Sequence, residues 1–292
     1  MTKYGTDRLD GKTLLVCIGA AKTGTSWLHR YLDGRADVAV SPLKEVHFFD
    51  AKFPEHALGD PDRLAMKRLA FHMQAAATTP EALRDDPLLQ ASLDRVQMIY
   101  DPQAYFDHFA RLATDQTRVI CDITPGYSTI GQAGFAYLKA FCAARGLRVK
   151  ILFLMRDPVT RLWSQLRHLQ QLSAENDALR DWSRLAGHPA VRARADYAQI
   201  VAGLDAVFDA EDLLHLFYED MFDAPALRRL SGFLDLPFQA PGDAQSVNET
   251  RVKLDLPTAA HDAFCRDLAP QYQFCQARFA GHVPASWLSQ AV

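Results

Sequence analysis

The sequence predicts an α/β protein of three layers, in which helices cover both faces of a central parallel sheet. Short apolar runs of strand type alternate along the chain with longer segments of helical periodicity, and this alternation is typical of parallel strands joined by crossover helices. Because ligands bind at the carboxyl ends of such strands, we expect a site where the loops 19–24, 122–127 and 156–158 meet. The strand-like runs are 13–18, 118–121, 149–155 and 213–218, and the helix-like segments lie around 134–145, 158–171, 196–209 and 223–235.

Length and composition fit one elaborated domain as well as two; we expect a single domain over 1–292, and one that binds no nucleic acid. The 292 residues are 49% hydrophobic, and their formal net charge of −3 gives no general attraction for nucleic acid. No run approaches the roughly 20 apolar residues of a membrane span, and the polar first residues lack the apolar core of a signal peptide. The five cysteines are odd in number and follow no metal-binding pattern, so we expect them to be reduced. These features predict a cytoplasmic protein without a metal.

The stretch from about 51 to 115 differs from the rest of the chain. It is helix-like, rich in charge, poor in strand signals and interrupted by five prolines. We predict a helical insertion that caps the substrate site, although a plain surface insertion fits the same pattern.

The segment GAAKTGTSW, residues 19–27, joins the first strand-like run to a helix-like run. A glycine-rich turn at this position directs free backbone N–H groups and the positive end of the helix dipole at one point. Lys22 adds a full positive charge there. The segment therefore predicts a ligand that carries a phosphate group, and an ordinary β–α turn is the less favoured interpretation.

Two common nucleotide motifs do not match this turn. In the usual P-loop, GxxxxGK[ST], the lysine follows the second glycine, whereas Lys22 precedes Gly24 here. The dinucleotide fingerprint GxGxxG is also absent from the turn. The pattern thus disfavours an ordinary ATP or GTP site.

A second segment, RDPVTRLWSQLRH at 156–168, follows the strand-like run 149–155. Arg156 leaves the end of the strand, and a proline two residues later suits the first turn of a helix. On that helix Arg161, Ser164 and His168 share one face. A guanidinium and a hydroxyl group that converge there would bind a phosphate monoester well.

Together the two segments resemble sulfotransferases that use PAPS (3′-phosphoadenosine 5′-phosphosulfate), in particular bacterial and carbohydrate-type members. The first resembles the loop that binds the 5′-phosphosulfate, and the second resembles the 3′-phosphate segment. The resemblance covers 13–50, 118–170, 191–209 and 213–236. It implies a P-loop-NTPase-like fold and PAPS as the sulfuryl donor, released as PAP (3′-phosphoadenosine 5′-phosphate). The implied PAPS contacts are Lys22, Thr23, Gly24, Thr25, Ser26, Trp27, Arg156 and Ser164.

The segment SVNETRVKLD, residues 246–255, resembles the part of these enzymes that precedes a nucleotide-covering loop. It implies Arg251 and Lys253 as further PAPS contacts. Solvated surface charges are an equally good interpretation of both residues, since the glycine-rich and basic loop expected next is not evident in the sequence.

The segment SPLKEVHFFD, residues 41–50, resembles the E-x-H-F-F-D segment of carbohydrate-type sulfotransferases, in which the glutamate is the base. The resemblance implies Glu45 as the base that takes the acceptor proton, with Lys22 on the departing bridging oxygen. His47 would orient the base or the acceptor; it is also the competing base, because aryl and steroid sulfotransferases use a histidine. Lys44 and Asp50 would contact the acceptor.

The segment CDITPGYS, residues 121–128, resembles a strand-end segment of the same family and implies that Thr124 and Tyr127 lie near the acceptor. Heparan-type relatives commonly carry a lysine where this chain has Thr124, which disfavours a polyanionic polysaccharide. The expected function is sulfuryl transfer from PAPS to a hydroxyl of an unidentified sugar, lipid or small molecule. The alternatives are a P-loop-type kinase or nucleotide-binding protein and a non-catalytic PAP-binding protein.

Overall fold

A computed structural model of the chain describes residues 6–75, 79–173, 175–241 and 251–288. Its centre is a five-stranded sheet in the order β2-β3-β1-β4-β5, in which every neighbouring pair is parallel. Helices lie on both faces of this sheet, so the predicted three-layer α/β fold is confirmed. The strands are β1 (Thr13–Gly19), β2 (Val38–Val40), β3 (Val119–Ile123), β4 (Arg148–Met155) and β5 (Leu213–Phe217).

Fourteen α-helices connect and cover the strands within the described residues. The four predicted helical segments correspond to α7, α8, α11 and α12, whose ends differ from the prediction by a few residues. The helices are α1 (Thr25–Asp33), α2 (Phe49–Lys52), α3 (Pro61–Ala75), α4 (Pro80–Asp85), α5 (Pro87–Gln97), α6 (Ala104–Leu112), α7 (Gly131–Ala143), α8 (Pro158–Leu172), α9 (Trp182–Gly187), α10 (Pro189–Ala193), α11 (Tyr197–Asp205), α12 (Ala224–Phe233), α13 (Thr258–Arg278) and α14 (Ala285–Leu288).

Strand β1 lies at the centre of the sheet and is buried on both faces. Because successive side chains of a strand point to opposite faces, Leu14, Val16 and Ile18 pack with α6, α7, α8, α11 and α13, whereas Leu15 and Cys17 pack with α1 and α12. The continuous apolar run thus reflects burial on both sides, as expected of a parallel sheet.

Strand β2, at the edge of the sheet, is the strand that the sequence did not predict. It has only three residues, pairs with β3 alone, and is preceded by a short polar turn after α1. Three apolar residues are too few for a sequence pattern to distinguish a strand from a loop. The strand is therefore recognised only from its pairing with β3.

Helices α2 to α6 occupy the charged, proline-rich stretch between β2 and β3. Prolines are at the first position of α3, α4 and α5, where the missing N–H costs no hydrogen bond. The cap function expected of this helical insertion stays a prediction. None of the helices in the described ranges is both long and apolar enough for a membrane span, and the cytoplasmic location likewise stays a prediction.

The sheet topology gathers the predicted site loops. β1 lies between β3 and β4, and the three strands run in the same direction. Their carboxyl ends therefore open at one edge, where the turns after Gly19, Ile123 and Met155 meet.

Candidate active site

The turn between β1 and α1 is a compact loop that ends at a helix N-terminus. The Thr23 hydroxyl donates a hydrogen bond of 2.6 Å to the Ala20 carbonyl, and Lys22 and Gly24 have positive φ angles of 72° and 77°. A Cβ atom on Gly24 would lie 3.1 Å from Met221 Sδ, so both the backbone conformation and the close packing favour glycine at this position. No side chain caps the N-terminus of α1 in the described structure, which suits a helix that offers its N–H groups to an anion.

The three residues that follow Gly24 belong to the first turn of α1. Thr25 is buried, whereas Ser26 is half-buried. The Trp27 indole is packed in the core, where it stacks on Tyr31 at 5.3 Å between ring centroids and meets Phe222 edge-on at 5.1 Å. The side chain of Trp27 therefore anchors the helix to the sheet.

Arg156 joins the two predicted phosphate-binding segments. One of its guanidinium nitrogens donates a 3.1 Å hydrogen bond to the Lys22 carbonyl, and the guanidinium lies 4.5 Å from the centroid of the Tyr218 ring. Burial and the positive charges of Lys44 and Arg156 lower the pKa of Lys22 to about 8. Several cations thus converge where β1 and β4 end.

Helix α8, which follows β4, carries several buried or half-buried polar side chains near the carboxyl ends of β1 and β4. Its Asp157 cap accepts hydrogen bonds from the Thr160 N–H at 2.8 Å and from the Tyr272 hydroxyl at 2.7 Å, which fixes the helix start. Ser164 is buried, and burial together with the Lys22 charge lowers the pKa of His168.

Arg161 is fully buried, and burial lowers the pKa of its guanidinium. Within the part of the chain that the structure describes, none of its three guanidinium nitrogens makes a hydrogen bond. A buried cation without an acceptor is costly, and an anionic group that reaches α8 would relieve that cost. This orphaned guanidinium fits a phosphate ligand.

Residues 44–50 form a row of alternating charges. Lys44 Nζ lies 2.6 Å from Glu45 Oε1, and Glu45 Oε2 lies 3.4 Å from His47 Nε2. The other imidazole nitrogen, Nδ1, lies 2.7 Å from Asp50 Oδ2. The four charged side chains that the sequence predicts around the acceptor are therefore linked in one network.

The network separates the ionisation states of Glu45 and His47. Burial alone would raise the pKa of Glu45, but Lys44 and His47 outweigh it and hold that pKa well below its usual range. Burial alone would lower the pKa of His47, but hydrogen bonds to Asp50 and Glu45 raise it to about 9. At neutral pH Glu45 is a carboxylate and His47 an imidazolium.

Thr124 and Tyr127, predicted beside the acceptor, are solvent-inaccessible in the structure. Their hydroxyls donate to the two oxygens of Asp122 at 2.6 and 2.9 Å. The Tyr127 hydroxyl also accepts a 2.9 Å hydrogen bond from the Phe48 N–H. Their side chains are therefore engaged in the interior, where they fix the segment that carries His47 and Asp50.

Arg251 and Lys253 lie on an exposed segment beside α8. The backbone N–H of Arg251 donates to Gln171 at 2.9 Å, and Trp163 Nε1 donates to the Leu254 carbonyl at 3.0 Å. Both basic side chains are exposed to solvent, and the rest of the predicted segment, 246–250, lies outside the described residues.

Sequence reasoning missed two arginines of the helical insertion that reach the loop 44–47. Arg68 donates to the Glu45 carbonyl at 2.9 Å, and Arg95 donates to the carbonyls of Val46 and His47 at 2.5 and 2.7 Å. No local pattern distinguishes them from the other charges of the insertion. Over the described ranges, no three His, Cys, Asp or Glu side chains group closely enough to hold a metal ion.

These features define a parallel α/β protein in which an anion-binding turn after the first strand meets a cationic strand end and a charged loop. The chain belongs to the Sulfotransferase family, whose family model matches residues 15–240. Both the family and the P-loop-like fold implied by the sequence resemblance are confirmed. Membership of this family supports sulfuryl transfer as the general activity of the chain.

A solved structure agrees with this assignment at the level of the fold. The chain is similar to a crystal structure of a sulfotransferase from Alicyclobacillus acidocaldarius, with a TM-score of 0.64 and 21% identity over 95% of this chain and 99% of that chain. It is also similar to a sulfotransferase domain from the curacin biosynthetic pathway, with a TM-score of 0.43 and 15% identity over 90% of this chain and 98% of that chain. Among curated proteins, no sequence matches significantly.

Proposed function

We propose that the chain transfers a sulfuryl group from PAPS to a hydroxyl of a small-molecule, glycan or lipid acceptor, with Glu45 as the base. The observation that carries the proposal is the grouping of charges at the ends of β1 and β4: Arg156 donates a hydrogen bond to the Lys22 carbonyl, and the charges of Lys44 and Glu45 shift the pKa of Lys22. The cationic turn and the loop that carries Glu45 are thus close enough to belong to one site.

PAPS supplies the sulfuryl group, and two parts of this chain would hold its charges. Lys22 and the first turn of α1, from Gly24 to Ser26, would bind the phosphosulfate end, with Thr23 bracing the turn. Arg156, Ser164 and the unpartnered guanidinium of Arg161 would bind the 3′-phosphate. Arg251 and Lys253, on the segment beside α8, would be further PAPS contacts.

Glu45 and Lys22 have complementary tasks in the proposed reaction. Glu45 takes the proton of the acceptor hydroxyl as its oxygen bonds to sulfur, a role worth about 10²- to 10⁴-fold in rate. Lys22 neutralises the charge that develops on the bridging phosphate oxygen as the old S–O bond breaks, worth roughly 10²- to 10³-fold by analogy with other oxyanion donors. The products are a sulfate ester and PAP.

The charge states favour Glu45 over His47 as the base. His47 is protonated at neutral pH because its pKa is raised to about 9, so it has no free lone pair with which to accept a proton. We propose that its imidazolium, held by Asp50, orients Glu45. Lys44 and Asp50 are the two end members of this network, and they would contact the acceptor from there.

Nucleotide binding tests the donor assignment. Isothermal titration calorimetry should give PAP a much lower Kd than 5′-AMP, because Arg156, Arg161 and Ser164 read the 3′-phosphate. Arg156→Met should remove most of that preference, whereas Arg145→Met, at an exposed arginine that precedes the amino end of β4 and so lies at the edge of the sheet opposite to the site, should leave it unchanged. Equal affinity for PAP and 5′-AMP would contradict the proposal.

A transfer assay tests the reaction itself. The chain should transfer ³⁵S-labelled sulfate from PAPS to at least one hydroxyl compound in a panel of sugars, lipid head groups and small alcohols. Tight PAP binding without transfer to any acceptor would instead favour a non-catalytic PAP-binding protein, and Mg²⁺-dependent ATP hydrolysis would favour a kinase-like protein.

A further inference from the structure

We propose that Arg95 and Arg68, two arginines of the helical insertion, are positioning residues that hold Glu45 and His47 in their working geometry. The inference rests on the proposed function for its catalytic readout, but its structural readout does not depend on that function. It gives the insertion a task that differs from capping the acceptor.

Arg95, on α5, holds the centre of the loop. It is only 2% exposed, and its guanidinium donates to the Val46 carbonyl at 2.5 Å and to the His47 carbonyl at 2.7 Å. The same guanidinium donates to Asp62 Oδ1 at 2.7 Å, a contact that ties α5 to α3. Such a planar fork fixes the direction of two consecutive carbonyls at once.

Arg68, on α3, holds the preceding peptide unit. It donates to the Glu45 carbonyl at 2.9 Å and approaches the Lys44 carbonyl at 3.5 Å. The two arginines thus contact the carbonyls of all four residues from 44 to 47. Residues 44–47 belong to neither a strand nor a helix, so these side chains take the place of the hydrogen bonds of regular structure.

The loop needs this support because two of its residues have a backbone conformation that side chains disfavour. Glu45 and His47 have φ angles of 64° and 55°, in the left-handed region that favours glycine. In this conformation Glu45 Oε2 lies 3.4 Å from His47 Nε2. Without the arginines we expect the loop to relax and Glu45 to separate from Lys44 and His47.

The expected consequence is a loss of turnover with little loss of donor binding. A displacement of about 1 Å of a reacting group can cost on the order of 10²-fold, so we expect Arg95→Met to lower kcat about 10- to 100-fold and to change the Kd for PAP less than about 2-fold. The contacts that hold the pKa of Glu45 low would weaken. The acidic limb of the kcat/KM profile should therefore move to higher pH.

Two further variants and a matched control separate positioning from general stability. Arg95→Lys should recover part of the activity, because an ammonium can keep one of the carbonyl contacts but not the fork. Arg68→Met should act in the same direction as Arg95→Met. The control is Arg111→Met: Arg111 is also a partly buried arginine of the insertion, but it bonds Gln90 and Asp94 and none of the residues from 44 to 47.

Hydrogen–deuterium exchange of the backbone amides gives the readout that does not need activity. The Phe48 amide, whose N–H donates to the Tyr127 hydroxyl, should exchange at least 10-fold faster in Arg95→Met and Arg68→Met, and not in Arg111→Met. Unchanged exchange there in the arginine variants, or an equal loss of kcat in the Arg111 control, would overturn the inference. If the wild-type chain transfers no sulfuryl group yet the exchange changes as expected, the proposed function fails and the positioning role stands.

Discussion

At the level of single residues, the site is an alternating row of charges rather than a lone base. Lys44, Glu45, His47 and Asp50 follow one another at 2.6, 3.4 and 2.7 Å. Each basic side chain lies against a carboxylate, so positive and negative groups alternate along the row. This balance lets the half-buried Glu45 carboxylate stay ionised at neutral pH.

The first prediction concerns the proposed base. Glu45→Gln keeps the size of the side chain but removes its ability to accept a proton, so turnover should fall about 10²- to 10⁴-fold. The Kd for PAP should stay within a few-fold of the wild-type value. Glu55→Gln, at a carboxylate that is 86% exposed, is the control and should have wild-type kinetics. Near wild-type turnover in Glu45→Gln would exclude Glu45 as the base.

The second prediction concerns the pH dependence set by Lys22. Its pKa is lowered to about 8, so the side chain is charged below that pH and loses its charge above it. The kcat/KM profile, which reports the free enzyme, should therefore fall as pH rises through about 8. A bound anion raises a nearby cation's pKa, so the corresponding limb of kcat should lie at higher pH.

Lys22→Arg provides the comparison for this profile. A guanidinium keeps its charge across the accessible pH range, so the alkaline limb near pH 8 should disappear even if the variant is slower. A limb that persists unchanged in Lys22→Arg would assign it to another group, of which His47, with a pKa of about 9, is the nearest candidate.

At the level of elements, the segment after β3 packs against the charged loop 44–50. The 3₁₀ turn Pro125–Thr129 packs against α2 and β1. A Cβ atom on Gly126 would lie 2.4 Å from Asp50 Oδ2 and 3.4 Å from His47 Cε1. The absence of a side chain at Gly126 thus leaves the space in which Asp50 binds His47.

The third prediction tests the close packing of Gly126 against Asp50. Gly126→Ala should push Asp50 away from His47 and lower the free energy of unfolding by about 1–3 kcal/mol through overpacking. The pKa of His47, followed by NMR, should fall below its raised value of about 9 because its main hydrogen-bond partner moves. Gly232→Ala is the control: a Cβ there meets nothing within 4 Å, and alanine should raise the stability of α12 by roughly 0.5–1 kcal/mol. An unchanged His47 pKa in Gly126→Ala would contradict this picture.

The elements that sequence reasoning recovered are those whose signals are local. A pattern of apolar residues next to a turn or capping residue marks each of β1, β4 and α8. The anion-binding turn is likewise a continuous run of nine residues. β2 is too short to carry a period, and its partner β3 lies about 80 residues later in the chain. Likewise, the contacts from Arg95 to the loop at 46–47 span 49 and 48 residues, and no spacing rule links such positions.

At the level of the whole molecule, the sheet couples two apolar layers through alternate residues of the same strands. Cys17 and Cys121, on β1 and β3, belong to the layer that includes α1 and α12. Cys142, on α7, and Cys275, on α13, belong to the opposite layer. Because β1 contributes Leu14 and Leu15 to opposite layers, neither layer can open without disturbing the other.

The last prediction uses these four thiols to ask whether the chain behaves as one domain. All four are buried, and burial raises their pKa values, to about 12 for Cys17 and Cys275. A thiol reagent needs a thiolate that it can reach, so all four should be protected in the native state. In a denaturant series the four should become reactive with the same opening free energy and the same denaturant dependence, because exposure of any of them requires global unfolding. Mass spectrometry of alkylated peptides measures the reaction of each cysteine separately, and the half-buried Cys265 is the internal control that should react first.

Two distinct opening free energies, one for Cys17 and Cys121 and another for Cys142 and Cys275, would contradict a single cooperative domain.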